Sequence, residues 1–251
     1  MKRALITGIF GQDGSYLCEI LIEKGYEVYG IVGKDSSKNS GQIKLYLANK
    51  SIKPKVYSCN IYHYDEVFEA IRKIKPHEIF HLAAKHYSSE MSSYANDRLL
   101  YLDNVTATFN ILSAIKECKY STKVILAGSC LMFDGSNTSL QDEKTPFQSV
   151  SFYGLAKIAE QKLAEFFRNM GVFVSMAILY NHESPRRSSN FVTKKIVRNL
   201  VQICKGEQKG FSLGSIDVIK DWGYARDYAY GMWLMAQVDT PTEYVLSTGT
   251  K

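Results

Sequence analysis

A tyrosine and a lysine four residues apart, Tyr153 and Lys157, are the residues of this sequence best suited to proton transfer. On a helix this spacing places the phenol and the ammonium on one face. The positive charge would lower the pKa of the phenol, which could then exchange a proton with a substrate hydroxyl or carbonyl. Ser129 follows the preceding predicted strand, and its hydroxyl could bind the same oxygen. These three residues are the predicted catalytic group.

The first fourteen residues contain a second candidate site. An apolar segment at 3–7 runs into Gly8, Gly11 and Gly14, and a helix is predicted to begin near Gln12. Glycines at this spacing let the backbone approach a pyrophosphate, and the free N–H groups of the helix start favour an anion. An ordinary glycine-rich turn is the alternative, but the strand before and the helix after favour a dinucleotide site.

The end of the second predicted strand bears on which dinucleotide would bind. Folds that prefer NAD place an acidic residue there, whereas this sequence has Val32. Lys34 and the hydroxyls of Ser36 and Ser37 could bind a 2′-phosphate, although Asp35 could instead engage the ribose. The sequence therefore favours NADP as the cofactor, with NAD as the alternative.

Strand-like and helix-like patterns alternate along the chain and would position these groups. Strands are predicted at 3–7, 27–32, 55–58, 78–83, 123–128 and 172–179, and helices near 15–24, 64–73, 105–116, 152–169 and 191–204. The alternation predicts an α/β fold with a doubly wound parallel sheet of Rossmann type. We expect a dinucleotide-binding domain at 1–180, which carries the tyrosine and lysine, and a small C-terminal substrate-binding region at 181–251.

Composition favours a soluble enzyme of the cytoplasm. The 251 residues are 45% hydrophobic, and they contain no apolar run long enough to span a bilayer. The net charge of +6 suits a small acidic substrate, and without a basic stripe it argues against nucleic acid as a partner. The five cysteines show neither a paired motif nor metal-ligand spacing, which predicts reduced thiols and no metal site.

Five motifs occur in order along the chain. They are ALITGIFGQDGSYL at 4–17, LAA at 82–84, NHESPRR at 181–187, FVTKKI at 191–196 and DWGYARDY at 221–228. Together they resemble the GDP-mannose 4,6-dehydratase group of the extended short-chain dehydrogenase/reductase family. The resemblance covers essentially the whole chain, and it implies an oxidoreductase or lyase that modifies nucleotide-linked sugars for surface polysaccharide biosynthesis.

The resemblance also implies site residues. Ser129, Tyr153 and Lys157 match the family's catalytic positions. The positions implied for the cofactor are Gly8, Gly11, Gln12, Asp13, Gly14, Lys34, Asn60, Ile61, Leu82, Ala83, Ala84, Tyr153, Lys157, Leu179, Asn181, His182 and Arg187. The positions implied for a GDP-linked sugar are His86, Ser88, Asn181, Val192, Lys195 and Lys220.

Relatives pair through helices, which implies a homodimer or homotetramer. The helix at 152–169 is the candidate interface, and its apolar residues are Leu155, Ala159, Leu163, Phe166 and Phe167. Burial of these side chains on the sheet is the alternative. The chain ends soon after a motif that is followed by further sequence in the family, so the C-terminal region is expected to be short relative to it.

One departure from the family pattern bears on the reaction. Dehydratases of this group carry a Glu that removes the C5 proton after C4 has been oxidised, and Leu131 stands at that position. Leucine cannot transfer a proton, so His86 or Asp134 would have to replace it if water is lost. The alternatives are a C4 epimerase, ketoreductase or dehydrogenase that performs no dehydration, or a degenerate relative that binds nucleotide without turnover.

Overall fold

The computed structural model describes residues 1–33, 38–86, 93–136, 140–214 and 216–250 of the protein. Two residues assigned above to ligands, Lys34 and Ser88, lie outside these ranges. The same is true of residues 35–37, which bear on the choice of dinucleotide.

In the part of the chain that the structure describes, seven strands form one parallel sheet. They are β1 (Arg3–Thr7), β2 (Glu27–Val32), β3 (Lys55–Ser58), β4 (Glu78–His81), β5 (Lys123–Ala127), β6 (Phe173–Leu179) and β9 (Glu243–Leu246). Their order across the sheet is β3-β2-β1-β4-β5-β6-β9, and every neighbouring pair is parallel. The order reverses between β1 and β4, where doubly wound sheets open a crevice for ligands. The predicted fold class is confirmed.

Helices cover both faces of this sheet, except for α6 (Val192–Cys204), which has no buried residue and lies outside both core layers. The described helices are α1 (Gln12–Glu23), α2 (Lys38–Asn49), α3 (Tyr64–Ile74), α4 (Tyr94–Cys118), α5 (Phe152–Asn169), α6 (Val192–Cys204) and α7 (Ala225–Met235). None of the described helices has both the length and the apolar character needed to cross a bilayer. Two short strands, β7 (Asn181–Glu183) and β8 (Trp222–Tyr224), pair with each other beside the main sheet.

The strands supply two hydrophobic layers because their side chains alternate between the two faces. In β1, Leu5 packs in the layer that includes α3, α4 and α5. Ala4 and Ile6 pack in the layer that includes α1, α2 and α7. Burial on both faces explains why the strands read as nearly continuous apolar segments.

Two predicted boundaries differ from the structure for physical reasons. β4 ends at His81 rather than at residue 83, because the N–H groups of Leu82 and Ala83 donate to Thr7 Oγ1, each at 3.1 Å. α4 begins at Tyr94 rather than near residue 105, and Ser93 caps it by accepting a hydrogen bond from the Asn96 N–H. The polar helix α2 was not predicted.

The C-terminal residues contribute to the main core. β9 pairs with β6 at the edge of the sheet, and α7 packs in the same hydrophobic layer as α1. The functional division at residue 180 stays a prediction, but the hydrophobic core does not end there. On α5, Leu155 and Phe166 are 46% and 58% exposed, whereas Phe167, predicted with them for an interface, is buried in the core.

Candidate active site

The turn after β1 is built so that bare backbone faces the crevice. Gly8 adopts a φ of +73°, and a Cβ on this residue would lie 3.0 Å from the Ala83 nitrogen. A Cβ on Gly14 would lie only 2.3 Å from the Gly8 oxygen. Gly11 caps α1 without a side-chain hydrogen bond, so N–H groups at the helix start remain available. The turn therefore has the close approach and the free donors that a pyrophosphate requires.

A cavity of about 590 Å³ opens beside this turn. Its lining includes six of the residues predicted for the cofactor, namely Gly8, Gly11, Asn60, Ile61, Ala83 and Ala84. Val32, the last residue of β2, also lines it, as does Glu66 of α3; Asp35 lies outside the described residues. The Asn60 side chain is already engaged, because its oxygen accepts a hydrogen bond of 3.1 Å from the Tyr62 N–H. The size and lining of the cavity fit the adenosine half of a dinucleotide.

α5 carries the predicted catalytic pair, of which Tyr153 is half-buried and Lys157 is buried. The Ser151 side chain caps the helix by accepting a hydrogen bond from the Gly154 N–H. The Lys157 nitrogen lies 5.6 Å from the centre of the Tyr153 ring. Lys157 is only 2% exposed, and its ammonium forms a 3.1 Å ion pair with Glu160. The structure therefore brings the phenol and the ammonium together as predicted.

The net pKa of Tyr153 differs from the sequence-based expectation. Burial raises this pKa, and the Glu160 and Asp13 carboxylates add to the increase. The Lys157 charge lowers it, as predicted, but does not outweigh burial. The Lys157 pKa is raised, because its ion pair with Glu160 more than offsets the effect of burial. A protonated phenol beside a charged ammonium is the resting arrangement of this pair.

The loop after β5 packs against the first turn of α5. Ser129 caps a short 3₁₀ turn, Cys130–Phe133, and its hydroxyl oxygen accepts a hydrogen bond of 3.2 Å from the Leu131 N–H. The Leu131 carbonyl faces Gly154, which precedes the lysine on α5. The structure thus holds Ser129 and Leu131 in the segment that contacts the start of the catalytic helix.

The two residues considered as substitutes for the missing Glu have different surroundings. The Asp134 carboxylate accepts hydrogen bonds of 2.7 Å from the Val150 N–H and 3.0 Å from the Ser151 hydroxyl, so it supports the start of α5. The His86 ring, in contrast, stands edge-on to Tyr153 with 4.6 Å between ring centres. Burial and the charges of Arg187 and Lys157 lower the pKa of His86. A neutral imidazole therefore lies beside the phenol.

An ion pair between His182 and Asp13 joins β7 to the start of α1. His182 Nε2 lies 3.1 Å from an Asp13 oxygen, and His182 Nδ1 lies 2.6 Å from the Tyr180 carbonyl. The His182 charge lowers the pKa of Asp13 despite burial, and Asp13 raises the pKa of His182 despite burial. Gln12 adds a hydrogen bond of 3.1 Å to the His182 carbonyl. The segment 181–187 is thus held against the glycine turn.

The two arginines of this segment contact different parts of the protein. Arg186 pairs with Glu19 at 2.8 Å and donates to the Ser15 hydroxyl at 3.0 Å, both on α1. Arg187 stacks on the Phe191 ring at 3.4 Å and lies 3.1 Å from a Glu183 oxygen. Its charge lowers the pKa values of Asp13, Tyr153 and His86. Arg187 is therefore the arginine that acts on the candidate site.

The other residues predicted for the sugar nucleotide lie on three separate segments of the chain. Asn181 begins β7, and Val192 and Lys195 lie in the first turns of α6. Lys220 is exposed, and its charge opposes the burial that raises the pKa of Cys130 in the loop after β5. Among the residues that the structure describes, neither Val192 nor Lys220 forms a hydrogen bond, ion pair or ring contact with Tyr153.

The sequence interpretation missed Glu160 and His81. Glu160 is fully buried three residues after Lys157, a helical spacing that signals a contact. His81 Nδ1 lies 2.7 Å from Thr7 Oγ1. Since that oxygen accepts hydrogen bonds from two backbone N–H groups, its own hydrogen donates to His81. Burial and the Lys157 charge lower the pKa of His81 to about 3.

Comparison with known proteins places the chain in a family. A family model described as GDP-mannose 4,6 dehydratase matches residues 5–251. The GDP-mannose 4,6 dehydratase of Homo sapiens is 41% identical over 259 residues, which cover 98% of this chain and 68% of the relative. The GDP-mannose 4,6-dehydratase of Vibrio cholerae is 34% identical over 262 residues, which cover 100% of this chain and 68% of the relative.

Solved structures of lower identity share the fold. UDP-glucose 4-epimerase of Thermotoga maritima superposes with a TM-score of 0.83 at 21% identity, over 99% of this chain and 77% of the other. The NAD-dependent NDP-hexosamine 5,6-dehydratase TunA of tunicamycin biosynthesis gives a TM-score of 0.80 at 17% identity, over 100% of this chain and 77% of the other. Because the family match spans nearly every residue, this chain belongs to the GDP-mannose 4,6-dehydratase family of short-chain dehydrogenase/reductase enzymes.

Proposed function

We propose that this protein is a nicotinamide-dependent enzyme that oxidises or reduces C4 of a GDP-linked sugar. The family makes it a nucleotide-sugar-modifying enzyme. The observation that carries the C4 assignment is the contact on α5 between the half-buried Tyr153 and the buried Lys157, where the charge of Asp13 at the start of α1 also acts on the phenol. The enzyme acts in the cytoplasm on soluble sugar nucleotides.

The cofactor proposed for the glycine turn is NADP, with NAD as the alternative. Two observations support binding of a dinucleotide at this turn. A Cβ on Gly8 or Gly14 would collide with backbone atoms, and the N–H groups at the start of α1 are available to bind an anion. Val32 presents no charge to repel a 2′-phosphate. Gly11, Gln12 and the remaining cofactor positions form the proposed binding surface. When bound, the nicotinamide would take up or return the hydrogen of C4.

The chain's own residues then handle the proton of the C4 oxygen. In oxidation, Tyr153 as phenolate accepts that proton, and the Lys157 ammonium stabilises the phenolate. In reduction, the raised pKa of Tyr153 keeps the phenol protonated and able to donate. Ser129 contributes a hydroxyl that holds the same oxygen. Asn181, Val192, Lys195 and Lys220 are proposed to hold the nucleotide diphosphate.

The proposed reaction leaves the C5 proton in place. Leu131 offers no acid or base at the dehydratase position, and the Asp134 carboxylate is occupied at the start of α5. A dehydrogenase, ketoreductase or C4 epimerase is therefore favoured. Dehydration with His86 as the base is the second candidate, because its neutral imidazole lies 4.6 Å from the Tyr153 ring.

The test is turnover of GDP-linked sugars, followed through the absorbance of the reduced cofactor for oxidation or reduction and through the identity of the sugar product for epimerisation, which returns the hydride. Tyr153→Phe should lower kcat by about a thousandfold, the loss typical of a general acid–base group. Tyr94→Phe is the matched control, because Tyr94 is 74% exposed at the start of α4. Uptake of solvent deuterium at C5 would indicate the second candidate. Unchanged turnover in Tyr153→Phe, or none with any GDP-sugar, would contradict the proposal.

The proposed assembly is a homodimer or homotetramer formed through α4 and α5. Their outer faces carry large apolar side chains that are exposed in one copy of the chain. They are Leu99, Leu102, Phe109, Leu155 and Phe166, each 46% to 58% exposed. An apolar surface of this kind on adjoining helices is typical of a subunit contact.

A further inference from the structure

We infer that Glu160 is a positioning residue of the catalytic site, which orients the Lys157 ammonium and offsets part of its charge at Tyr153. The inference rests on the proposed roles of Tyr153 and Lys157. It goes beyond them because it assigns a function to a buried acid on the same helix.

The contact is a fully buried ion pair. Glu160 Oε2 lies 3.1 Å from Lys157 Nζ, and the two residues are 0% and 2% exposed. Removing two such charges from water is costly, and a buried pair is weak evidence of added stability. The same helix has a pair with identical spacing in solvent, Lys162 and Glu165 at 2.9 Å. Burial of the first pair therefore points to a role in the site.

The Lys157 ammonium is the main hydrogen-bond partner of the Glu160 carboxylate, with 3.1 Å between Nζ and Oε2. The second oxygen, Oε1, is buried and accepts no hydrogen bond from the described residues. Thr108 of α4 is the other polar neighbour: it lowers the pKa of Glu160, although burial raises that pKa overall. An ammonium has three donors. With one donor directed to Glu160, two remain for other partners near Tyr153, whose ring centre lies 5.6 Å from the lysine nitrogen.

Charged groups from several elements determine how readily the Tyr153 phenol loses its proton. On α5, Lys157 favours the phenolate and Glu160 opposes it. Arg187, after β7, favours the phenolate, and Asp13 on α1 opposes it. His81 on β4 and His86 after it are neutral near pH 7, because burial and nearby cations lower their pKa values. Glu160 is thus the acid nearest along the helix to the lysine that assists the phenol.

The variant Glu160→Gln tests this role, because it removes the charge and keeps a hydrogen-bond acceptor of similar size. The titration of Tyr153 is read as the phenolate absorbance difference between each protein and the same protein carrying Tyr153→Phe. In Glu160→Gln we expect this titration to move toward acid by about one pH unit, as for loss of a nearby negative charge. Glu165→Gln, the exposed counterpart on α5, should leave it in place.

This titration needs neither sugar nor turnover, so it separates the inference from the proposed function. An unmoved titration in Glu160→Gln, or an equal shift in Glu165→Gln, overturns the inference even if the enzyme is active. If no GDP-sugar is turned over but the expected shift occurs, the inference holds and the proposed reaction fails. If Glu160→Gln does not fold, the same titration is measured in Glu160→Met. If neither folds, Glu160 is a structural residue and the inference is overturned.

Discussion

The backbone oxygen of Leu131 lies so close to Gly154 that a Cβ added to the glycine would be 2.2 Å from it. The same Cβ would be 2.1 Å from the Ser149 hydroxyl oxygen. Real side chains do not tolerate such distances, so position 154 is restricted to glycine. This contact joins the loop that carries Ser129 to the helix that carries Tyr153.

Gly154→Ala should therefore separate these two parts of the site. We expect kcat/KM to fall at least about tenfold and the free energy of unfolding to fall by about 1–3 kcal/mol, as for overpacking in a rigid site. Steady-state kinetics and urea denaturation provide the measurements. Gly41→Ala is the control, because a Cβ there meets nothing within 4 Å on α2, and its activity should be unchanged. Full activity in Gly154→Ala would show that the loop can move away without consequence.

Leu131→Glu should introduce the missing proton acceptor. With GDP-mannose as substrate, we expect a dehydrated sugar nucleotide as the product. Mass spectrometry should show the loss of one water and the presence of solvent deuterium at C5. Leu131→Gln is the matched control, since an amide of the same size cannot accept the proton. C4 oxidation without any loss of water in Leu131→Glu would mean that other residues of the site also prevent dehydration.

His81 should make the protein less stable in mild acid. The folded protein holds its pKa at about 3, whereas the unfolded chain takes up the proton near the usual value of 6.5. Its contribution to stability is complete above pH 6.5 and is lost as pH falls, by about 1.4 kcal/mol per pH unit. Urea denaturation across this range should give a shallower pH dependence for His81→Asn. His63→Asn is the control, because His63 is exposed. An equal pH dependence of the unfolding free energy in wild type and His81→Asn would refute the expectation.

Phe166→Asp should weaken the proposed subunit contact. The side chain is 58% exposed on α5, so a charge there costs little in one chain but is unfavourable in an apolar interface. Light scattering should show a shift of the assembly toward single chains, with the melting temperature of each chain nearly unchanged. Leu234→Asp is the control, because this leucine is 46% exposed on α7. A wild-type protein that is already a single chain would exclude the interface.

The sequence predicted the elements whose signals are local. β1 to β3 and α5 have the predicted bounds, and Gly25, just after α1, has the positive φ typical of a glycine that ends a helix. α2 was not predicted, although its buried residues, Ile43 and Leu47, have the four-residue spacing of a helix face; Leu45 and Tyr46 between them are apolar but exposed, which obscures that spacing. The pairing of β9 with β6 could not be predicted, because nothing local specifies a partner so distant in sequence.

For the predicted catalytic residues, too, only the local geometry could be predicted from the sequence. The spacing of Tyr153 and Lys157 predicts their contact, because four residues on a helix define a geometry. The raised pKa of Tyr153 was not predicted, since it depends on burial and on charges from distant segments, of which Asp13 raises the pKa and Arg187 lowers it. The role of Asp134 at the start of α5 likewise depends on a loop whose shape the sequence does not specify.

The position of β9 has a consequence for synthesis of the chain. β6 is almost entirely buried, and among the described residues one of its two edges pairs with residues 243–246. On the ribosome, the first six strands can assemble while that edge still presents unpaired backbone groups. An open edge of this kind is a template for association with other chains. The interval before β9 emerges is therefore when a nascent chain is most exposed to aggregation and most in need of a chaperone.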